Sequence, residues 1–346
     1  MGLFLPFKFI MLKDKKILIT GGTGILGRGF VRSFVRDHPE IGEIRVMARD
    51  ESKHYQFSLE FPPDRFPKIR NFIGDVRDFD RLKDLSTGVD VLIHAAAMKH
   101  LYYCESNPGE CLKTNSEGTR NVVKAAIENN VSKSVFISTD KAVEPISVYG
   151  NSKQAAEKIF QSRSNQNSKF SIMRFGNIWG SSGSVLPHFM ALRVKGNLPL
   201  KHASSTRFFG TVHQAFKTLL FAIETMQGGE VYIPKWQSVK IMDMAKIVGS
   251  NKCKISITHL ENYEKVHEKL MADNEKTRAF ENKEHLLIPN EDIDQDRALD
   301  VYQMLKAGFV NFSSDNPSNL LEIEMLEKVL EPLMASIDSR KSTKTH

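Results

Sequence analysis

Short apolar runs alternate with amphipathic stretches over the first 175 residues. "KILIT" (16–20), "EIRVM" (43–47), "KIRNFIG" (68–74), "VDVLIHAAA" (89–97), "KSVFIS" (133–138) and "FSIMRF" (170–175) are rich in β-branched and aliphatic residues. Runs of this length with little polar alternation suit strands covered on both faces. Between them, Leu26 to about His38, "SEGTRNVVKAAIENN" (116–130) and Tyr149 to about Ser162 place apolar residues at helical spacing. The alternation predicts an α/β fold, a doubly wound parallel sheet joined by right-handed crossovers.

Beyond residue 176 the pattern loosens. Helices are expected near 185–195, 212–226 and 241–249, and short strands near 231–233 and 254–258. No repeat or long linker divides the chain. The expected organisation is an N-terminal extension (1–13), a Rossmann-type domain (14–175), a smaller substrate-binding lobe (176–335) interleaved with the sheet edge, and a flexible tail (336–346). A ligand would lie in the cleft between domain and lobe.

Composition narrows the class. The 346 residues are 41% hydrophobic and 26% charged, as in an ordinary soluble globular protein. Cys104, Cys111 and Cys253 are odd in number and lack metal-type spacing, which points to the reducing cytoplasm and to no metal site. The apolar start "MGLFLPFKFI" is about half the length of a bilayer span and no cleavage site follows, so no membrane insertion is expected. Met11 is an alternative start. The net charge of +7 comes without a basic run interleaved with aromatics, which favours anionic small molecules over nucleic acid.

The first strand runs directly into "ITGGTGILGRGF". Gly21, Gly24 and Gly27 give a tight turn, close backbone approach to a pyrophosphate, and close helix–strand packing, with Thr23 and Ile25 inside the same turn. The second strand ends "VMARDESK". Arg49, aided by Lys53, could hold a 2′-phosphate, whereas Asp50 could instead hold a ribose 2′-hydroxyl. The first reading is preferred and makes the cofactor NADP. Asp75 and Val76 would flank the adenine. Ala95, Ala96 and Ala97 would line the pyrophosphate and nicotinamide ribose, with His94 and His100 structural.

"TGGTGILG" (20–27), "HAAA" (94–97), "YGNSK" (149–153) and "MRFGNIWG" (173–180) resemble the extended short-chain dehydrogenase/reductases. Tyr149 and Lys153 stand one helical turn apart and face the same way. The expectation is that Lys153 and an oxidised nicotinamide lower the Tyr149 pKa, while Thr139 holds the substrate hydroxyl. That triad leaves the adjacent Asp140 and Lys141 unexplained.

"STDKAVEPIS" (138–147), "AAAMKH" (95–100), "KTN" (113–115), "RFGNI" (174–178), "GSVLPHF" (183–189), "TRFF" (206–209) and "GGEVYIPK" (228–235) resemble the inverting UDP-N-acetylglucosamine 4,6-dehydratases that initiate pseudaminic acid and related surface-sugar pathways. The resemblance covers residues 14–270. It implies a UDP-N-acetylglucosamine-like nucleotide-sugar, internal hydride transfer through NADP, and a homo-oligomer, dimer or hexamer. It also implies Asp140 for the leaving water and Lys141 for proton transfer at carbon 5. Lys99, Asn177, Val185, Thr206 and Arg207 are the implied substrate contacts, Arg174 being either a contact or an internal ion-pair partner.

Two positions depart from the pattern: Ser182 and Glu261 stand where arginines are expected, with Lys201 and Lys235 as possible compensating cations. Rival readings are another nucleotide-sugar enzyme of the superfamily (a 4- or 5-epimerase or a 4-keto reductase) and a non-catalytic NADP-binding protein.

Overall fold

A computed structural model describes residues 12–162, 167–181, 183–250, 252–291, 293–308 and 312–342. The six expected strands form as β1 (Lys16–Thr20), β2 (Glu43–Ala48), β3 (Ile69–Ile73), β4 (Val91–His94), β5 (Lys133–Ile137) and β6 (Lys169–Met173). The second half adds β7 (Asn177–Ile178), β8 (Asn197–Leu200), β9 (Thr206–Gly210), β10 (Val231–Pro234), β11 (Ser238–Lys240), β12 (Lys254–Ile257), β13 (Phe280–Glu281), β14 (His285–Ile288) and β15 (Leu305–Lys306).

The main sheet runs β15-β13-β14-β10-β6-β5-β4-β1-β2-β3. From β10 to β3 neighbours are parallel; β14, β13 and β15 pair antiparallel at the far edge. The sheet therefore crosses the expected boundary at 175, taking four strands from the second half. β1 leads to β2 and β3 on one side, and β4 returns to its other side. Strand order reverses there, leaving a crevice at the carboxyl ends of β1 and β4 where α/β sheets take their ligands.

Helices cover both faces: α1 (Ile25–Asp37), α2 (Glu51–Glu60), α3 (Phe79–Ser86), α4 (Leu101–Ser106), α5 (Pro108–Leu112), α6 (Gly118–Glu128) and α7 (Val148–Gln161). In β1, Ile17 and Ile19 enter one core and Leu18 the other; in β4, Val91 and Ile93 oppose Leu92 in the same way. All six are almost fully buried, each side chain contributing about 1.5–3 kcal/mol by its removal from water. The second half supplies α8 (Val185–Leu192), α9 (Val212–Thr225), α10 (Ile241–Gly249), α11 (Asp273–Lys276), α12 (Gln295–Tyr302) and α13 (Ile323–Ser342). α9 joins α1 through the edge-to-face pair Phe34–Phe216 at 4.8 Å. A third core gathers α8, α10, α13 and the small β12–β8 sheet.

Several expectations shift. β4 stops at His94, so residues 95–97 leave the sheet and bend toward the glycine turn. A π-helical turn at Lys113–Glu117 precedes α6. Residues 336–342, expected as tail, are helical because α13 continues to Ser342. Leu12 is buried and Lys13 bridges Ile41, so the fold begins inside the expected extension. Residues 1–11 lie outside the described residues. Among the described residues no helix is long and apolar enough to cross a membrane.

Candidate active site

The glycine turn is tight for a visible reason. Gly21 has φ +69°, and a Cβ there would lie 2.7 Å from Ala96 N. A Cβ on Gly27 would come within 2.4 Å of Gly22 Cα. A side chain at Gly21 would fill the space between β1 and residues 95–97, and one at Gly27 would push α1 off the turn at Gly22. Gly24 caps α1 without any side-chain hydrogen bond, so the first amides of this thirteen-residue helix remain for an anion. Thr23 is buried, its carbonyl accepting from Arg28 Nε at 3.0 Å, and Ile25 packs against the core. Arg28 also reaches Lys53 O at 3.0 Å and so ties the turn to α2. A cradle of bare backbone ending in free helix amides fits a dinucleotide pyrophosphate.

At the end of β2, Asp50 caps α2, its carboxylate accepting from Lys53 N at 3.1 Å. That carboxylate serves its own helix. Arg49 is half exposed and 3.6 Å from Asp75 Oδ2, while Arg77 holds Asp75 more closely at 2.6 Å. Burial alone would raise the Asp75 pKa, but Arg77 and Arg49 hold it below the usual value. Val76 is buried and its carbonyl accepts from Asn121 Nδ2 at 3.1 Å. His94 is structural as expected, held between Thr20 Oγ1 at 2.7 Å and Thr119 Oγ1 at 3.0 Å. Burial presses its pKa down to about 3, and Lys153 adds to the effect. Burial, and to a lesser degree nearby Lys53, also lowers the Lys99 pKa.

The catalytic stretch leaves β5 in extended form. Thr139 then caps a short 3-10 turn, Asp140–Ala142. α7 starts after Ser147, whose Oγ accepts from Gly150 N at 2.9 Å. Tyr149 and Lys153 are both buried on the face of α7 turned to the sheet. Lys153 Nζ donates to Ile137 O at 2.7 Å and sits 3.8 Å from the Phe136 ring centroid. Burial brings its pKa down to about 7.

The expectation for Tyr149 invoked Lys153 together with an oxidised nicotinamide; within the protein alone, other groups act on the phenol. Burial pushes Tyr149 up to about 12, and the groups opposing that rise are Lys141 and a hydrogen bond with Thr139. Lys153 gives one of its three N–H donors to the Ile137 carbonyl.

Asp140 is fully buried. Its Oδ1 accepts from Thr139 Oγ1 at 2.9 Å and from Lys141 Nζ at 3.0 Å, while Oδ2 has no hydrogen-bond partner among the described residues. On its other side Lys141 Nζ lies 3.2 Å from Glu268 Oε1. Burial alone would lower the Lys141 pKa, but the two carboxylates outweigh it and raise it well above the usual value. Glu268 closes "ENYEKVHE", a stretch in which sequence reasoning singled out Glu261 alone. Lys265, from the same stretch, donates to Val143 O at 2.6 Å behind the catalytic turn. Burial lowers its pKa.

The substrate residues are only partly brought together. Lys141, Arg207, Tyr263, Glu264, Lys265 and Glu268 line a narrow cleft of about 10 Å³ together with Ile146 and Ser147. Lys99, Asn177, Thr206 and Val185 do not line it; Asn177 starts β7 and Val185 starts α8. Arg207 lines the cleft but its guanidinium is engaged by backbone. Its guanidinium donates to the carbonyls of Thr206, Lys265 and Val266 at 2.7–2.8 Å and so anchors the segment overhead. Thr206 is buried beneath that segment, bonded to His267 Nδ1 and Ser314 Oγ, and does not shape an open pocket. Arg174 is an internal ion-pair partner, buried against Glu157 of α7 and Glu275 of α11.

Lys201 pairs with Glu264 at 2.7 Å, beside Glu261, whose amide also meets Glu264. Lys235 pairs with Glu281 and so has a different partner. Ser182 lies outside the described residues. No cluster of metal-ligating side chains occurs among the described residues.

A family model described as polysaccharide biosynthesis protein matches residues 17–290. The UDP-N-acetylglucosamine 4,6-dehydratase (inverting) of Campylobacter jejuni subsp. jejuni serotype O:2 is 38% identical over 92% of this chain and 98% of its own length. The UDP-glucose 4-epimerase of Rickettsia bellii is 34% identical over 81% of this chain and 84% of its own. Among solved structures, Pen from Bacillus thuringiensis superposes with a TM-score of 0.84 at 32% identity, covering 93% of this chain and 100% of that one.

Proposed function

The chain belongs to the polysaccharide biosynthesis protein family, within the extended short-chain dehydrogenase/reductases, and from that membership we propose that it is a 5-inverting nucleotide-sugar 4,6-dehydratase. The observation that carries this reading is the buried Thr139–Asp140–Lys141 cluster beside Tyr149: two proton-transfer groups more than an alcohol oxidation requires. The substrate proposed is UDP-N-acetylglucosamine and the product a UDP-4-keto-6-deoxy-L-hexosamine.

A bound nicotinamide dinucleotide would supply the hydride acceptor and donor. Its pyrophosphate would be held by Gly21, Thr23, Gly24, Ile25 and Gly27, with Ala95–Ala97 opposite. NADP is favoured over NAD because Asp50 is engaged as a helix cap while Arg49 and Lys53 flank the same corner. Residues 14–175 would form most of the cofactor side and 176–335 the substrate side.

Tyr149 takes the proton of the sugar 4-hydroxyl as carbon 4 becomes a ketone, and Thr139 orients that hydroxyl. Lys153 steadies the Tyr149 side of α7 from the Ile137 carbonyl. The new ketone acidifies the carbon-5 proton, because the electron pair left behind is delocalised as an enolate. Lys141 accepts that proton, and Asp140 delivers one to the departing 6-hydroxyl, which leaves as water. Return of a proton to carbon 5 from the opposite face inverts that centre.

The test incubates the protein with NADP and a panel of nucleotide-sugars and follows products by mass spectrometry. A product lighter by one water, with NADP returned oxidised, is expected from UDP-N-acetylglucosamine. The 34% identity to a 4-epimerase supports a second reading, for which the product would be an isomer of unchanged mass.

A further inference from the structure

The reaction scheme above uses Lys141 and Asp140 but leaves Glu268, the second ionic partner of Lys141, without a task. Glu268 is 1% exposed and its backbone amide donates to Ser314 Oγ at 2.8 Å. Its Oε1 lies 3.2 Å from Lys141 Nζ and 3.7 Å from Arg207 Nε, and its Oε2 lies 4.0 Å from Lys265 Nζ. That second oxygen makes no hydrogen bond among the described residues.

A structural carboxylate in this chain is held differently. Glu230, equally buried, accepts from Ser171 Oγ, Tyr302 Oη and the amides of Gln227 and Gly228. The Glu268 side chain is surrounded by cations, and the nearest of them is the group given the carbon-5 proton transfer. Desolvating a carboxylate costs several kcal/mol, which such an arrangement offsets only while the cations stay in place.

Resting on the dehydratase reading, we infer that Glu268 is a positioning residue: its carboxylate holds the Lys141 nitrogen opposite Asp140 while the proton on that nitrogen leaves and returns. Flanked at 3.0 and 3.2 Å by carboxylates, Lys141 rests as an ammonium. It must lose a proton before it can take one from carbon 5. Asp140 Oδ1 is the acceptor within reach, and the transfer leaves a neutral amine beside a carboxylic acid.

The carbon-5–hydrogen bond then breaks, its proton passing to the Lys141 nitrogen and its electron pair into the enolate. As that pair forms the carbon-5–carbon-6 double bond, the carbon-6–oxygen bond breaks and the Asp140 proton leaves with the oxygen as water. One proton thus moves from carbon 5 to Lys141, and one from Lys141 through Asp140 to water. Glu268 exchanges none; its charge favours return of the ammonium and keeps the neutral amine from turning away.

The groups facing Lys141 are Asp140 on its own turn, Tyr149 of α7, Arg207 of β9, and Lys265 and Glu268 of the overlying segment. Replacing Glu268 by an uncharged isostere leaves Lys141 one anion against two cations. Two readouts follow. In the absence of substrate, acetylation of Lys141 by acetic anhydride, quantified by peptide mass spectrometry across pH, should reach half its maximum about one pH unit lower in Glu268→Gln than in the native protein. Glu268→Asp, which keeps the charge on a shorter arm, should fall between the two.

With nucleotide-sugar, Glu268→Gln should lose about tenfold or more in kcat with KM changed less than about threefold, and deuterium uptake from solvent at carbon 5 should slow in parallel. An acetylation profile of Lys141 identical in all three proteins overturns the inference, as does equal loss of kcat in the Gln and Asp variants. Should Glu268→Gln not fold, Glu268→Asp decides: a native Lys141 profile in it overturns the inference. A native protein that dehydrates no nucleotide-sugar sinks the proposed function instead, and the acetylation profiles still decide the place of Glu268.

Discussion

Tyr149 is the residue whose chemistry depends most on its surroundings. Burial holds its phenol near 12, and the protein groups that oppose the rise are Lys141 first and then a hydrogen bond with Thr139. In the proposed scheme Lys141 would serve two stages, easing the phenol toward its base form and then handling the carbon-5 proton. Tyr149→Phe should abolish nicotinamide reduction and dehydration together. Lys141→Ala should leave dinucleotide affinity intact, slow the first oxidation, and suppress water loss by about 10²–10⁴-fold, checked by single-turnover absorbance at 340 nm beside product mass spectrometry. Retained dehydration in Lys141→Ala would remove it from the scheme.

Arg49→Ala should weaken NADP about tenfold or more while leaving NAD within about twofold, measured by calorimetric titration, since a lost charge-assisted contact costs about 1.5–3 kcal/mol. His94 gives a residue-scale prediction about stability. Its folded pKa of about 3 lies below the ordinary 6.5, so the fold binds the neutral ring and the unfolded chain binds the extra proton. The contribution is complete above about pH 6.5 and is lost as pH falls toward 3. Calorimetric melting should show a steeper acid loss for the native chain than for His94→Asn; equal slopes would contradict a neutral buried ring.

At the scale of elements, the six strands of the first half and the two motif-bearing helices were legible because each writes its own local pattern, whereas most short strands of the second half were not expected. β1 and α1 are marked by an apolar run, a glycine turn and a 3.6-residue repeat, and α7 by Ser147 followed by an amphipathic stretch. α2 and α3 were missed, although Asp50 and Asp78 cap them in a way a sequence can show. α13 was missed altogether, because Pro332 interrupts its pattern and its polar end suits a frayed tail as well as an exposed helix. What locks α7 in place is less legible still. Arg174 bonds Glu157 of α7 at 3.0 and 2.7 Å and Glu275 of α11 at 2.8 and 3.0 Å, and no local spacing announces a three-way pair so far apart in the chain. Arg174→Met would leave two buried carboxylates without their cation. It should destabilise the chain by about 3–5 kcal/mol in urea titrations, far more than removal of a surface pair such as Arg32 with Glu60.

Across the whole molecule, the catalytic turn comes from the sheet and its cover from the segment 261–269, and the cover was invisible in the sequence because only long-range contacts place it. Arg207 grips it through the carbonyls of Lys265 and Val266, Lys269 pairs with Glu144 at 2.9 Å, and Lys265 reaches Val143. The enclosed space beneath, about 10 Å³, is far smaller than the roughly 300–1,000 Å³ of pockets that enclose drug-sized ligands, and a nucleotide-sugar is larger than most of these. If a hexose is to reach Lys141 with a diphosphate behind it, this segment must give way and Arg207 must exchange carbonyls for phosphate oxygens. Amide hydrogen exchange across 261–269 should therefore change several-fold when UDP-N-acetylglucosamine is added to the NADP-loaded protein, and NADP alone should leave it unaltered. A segment equally protected under all conditions would mean that the sugar approaches by another route, and Arg207 would then be an anchor for the cover and nothing more.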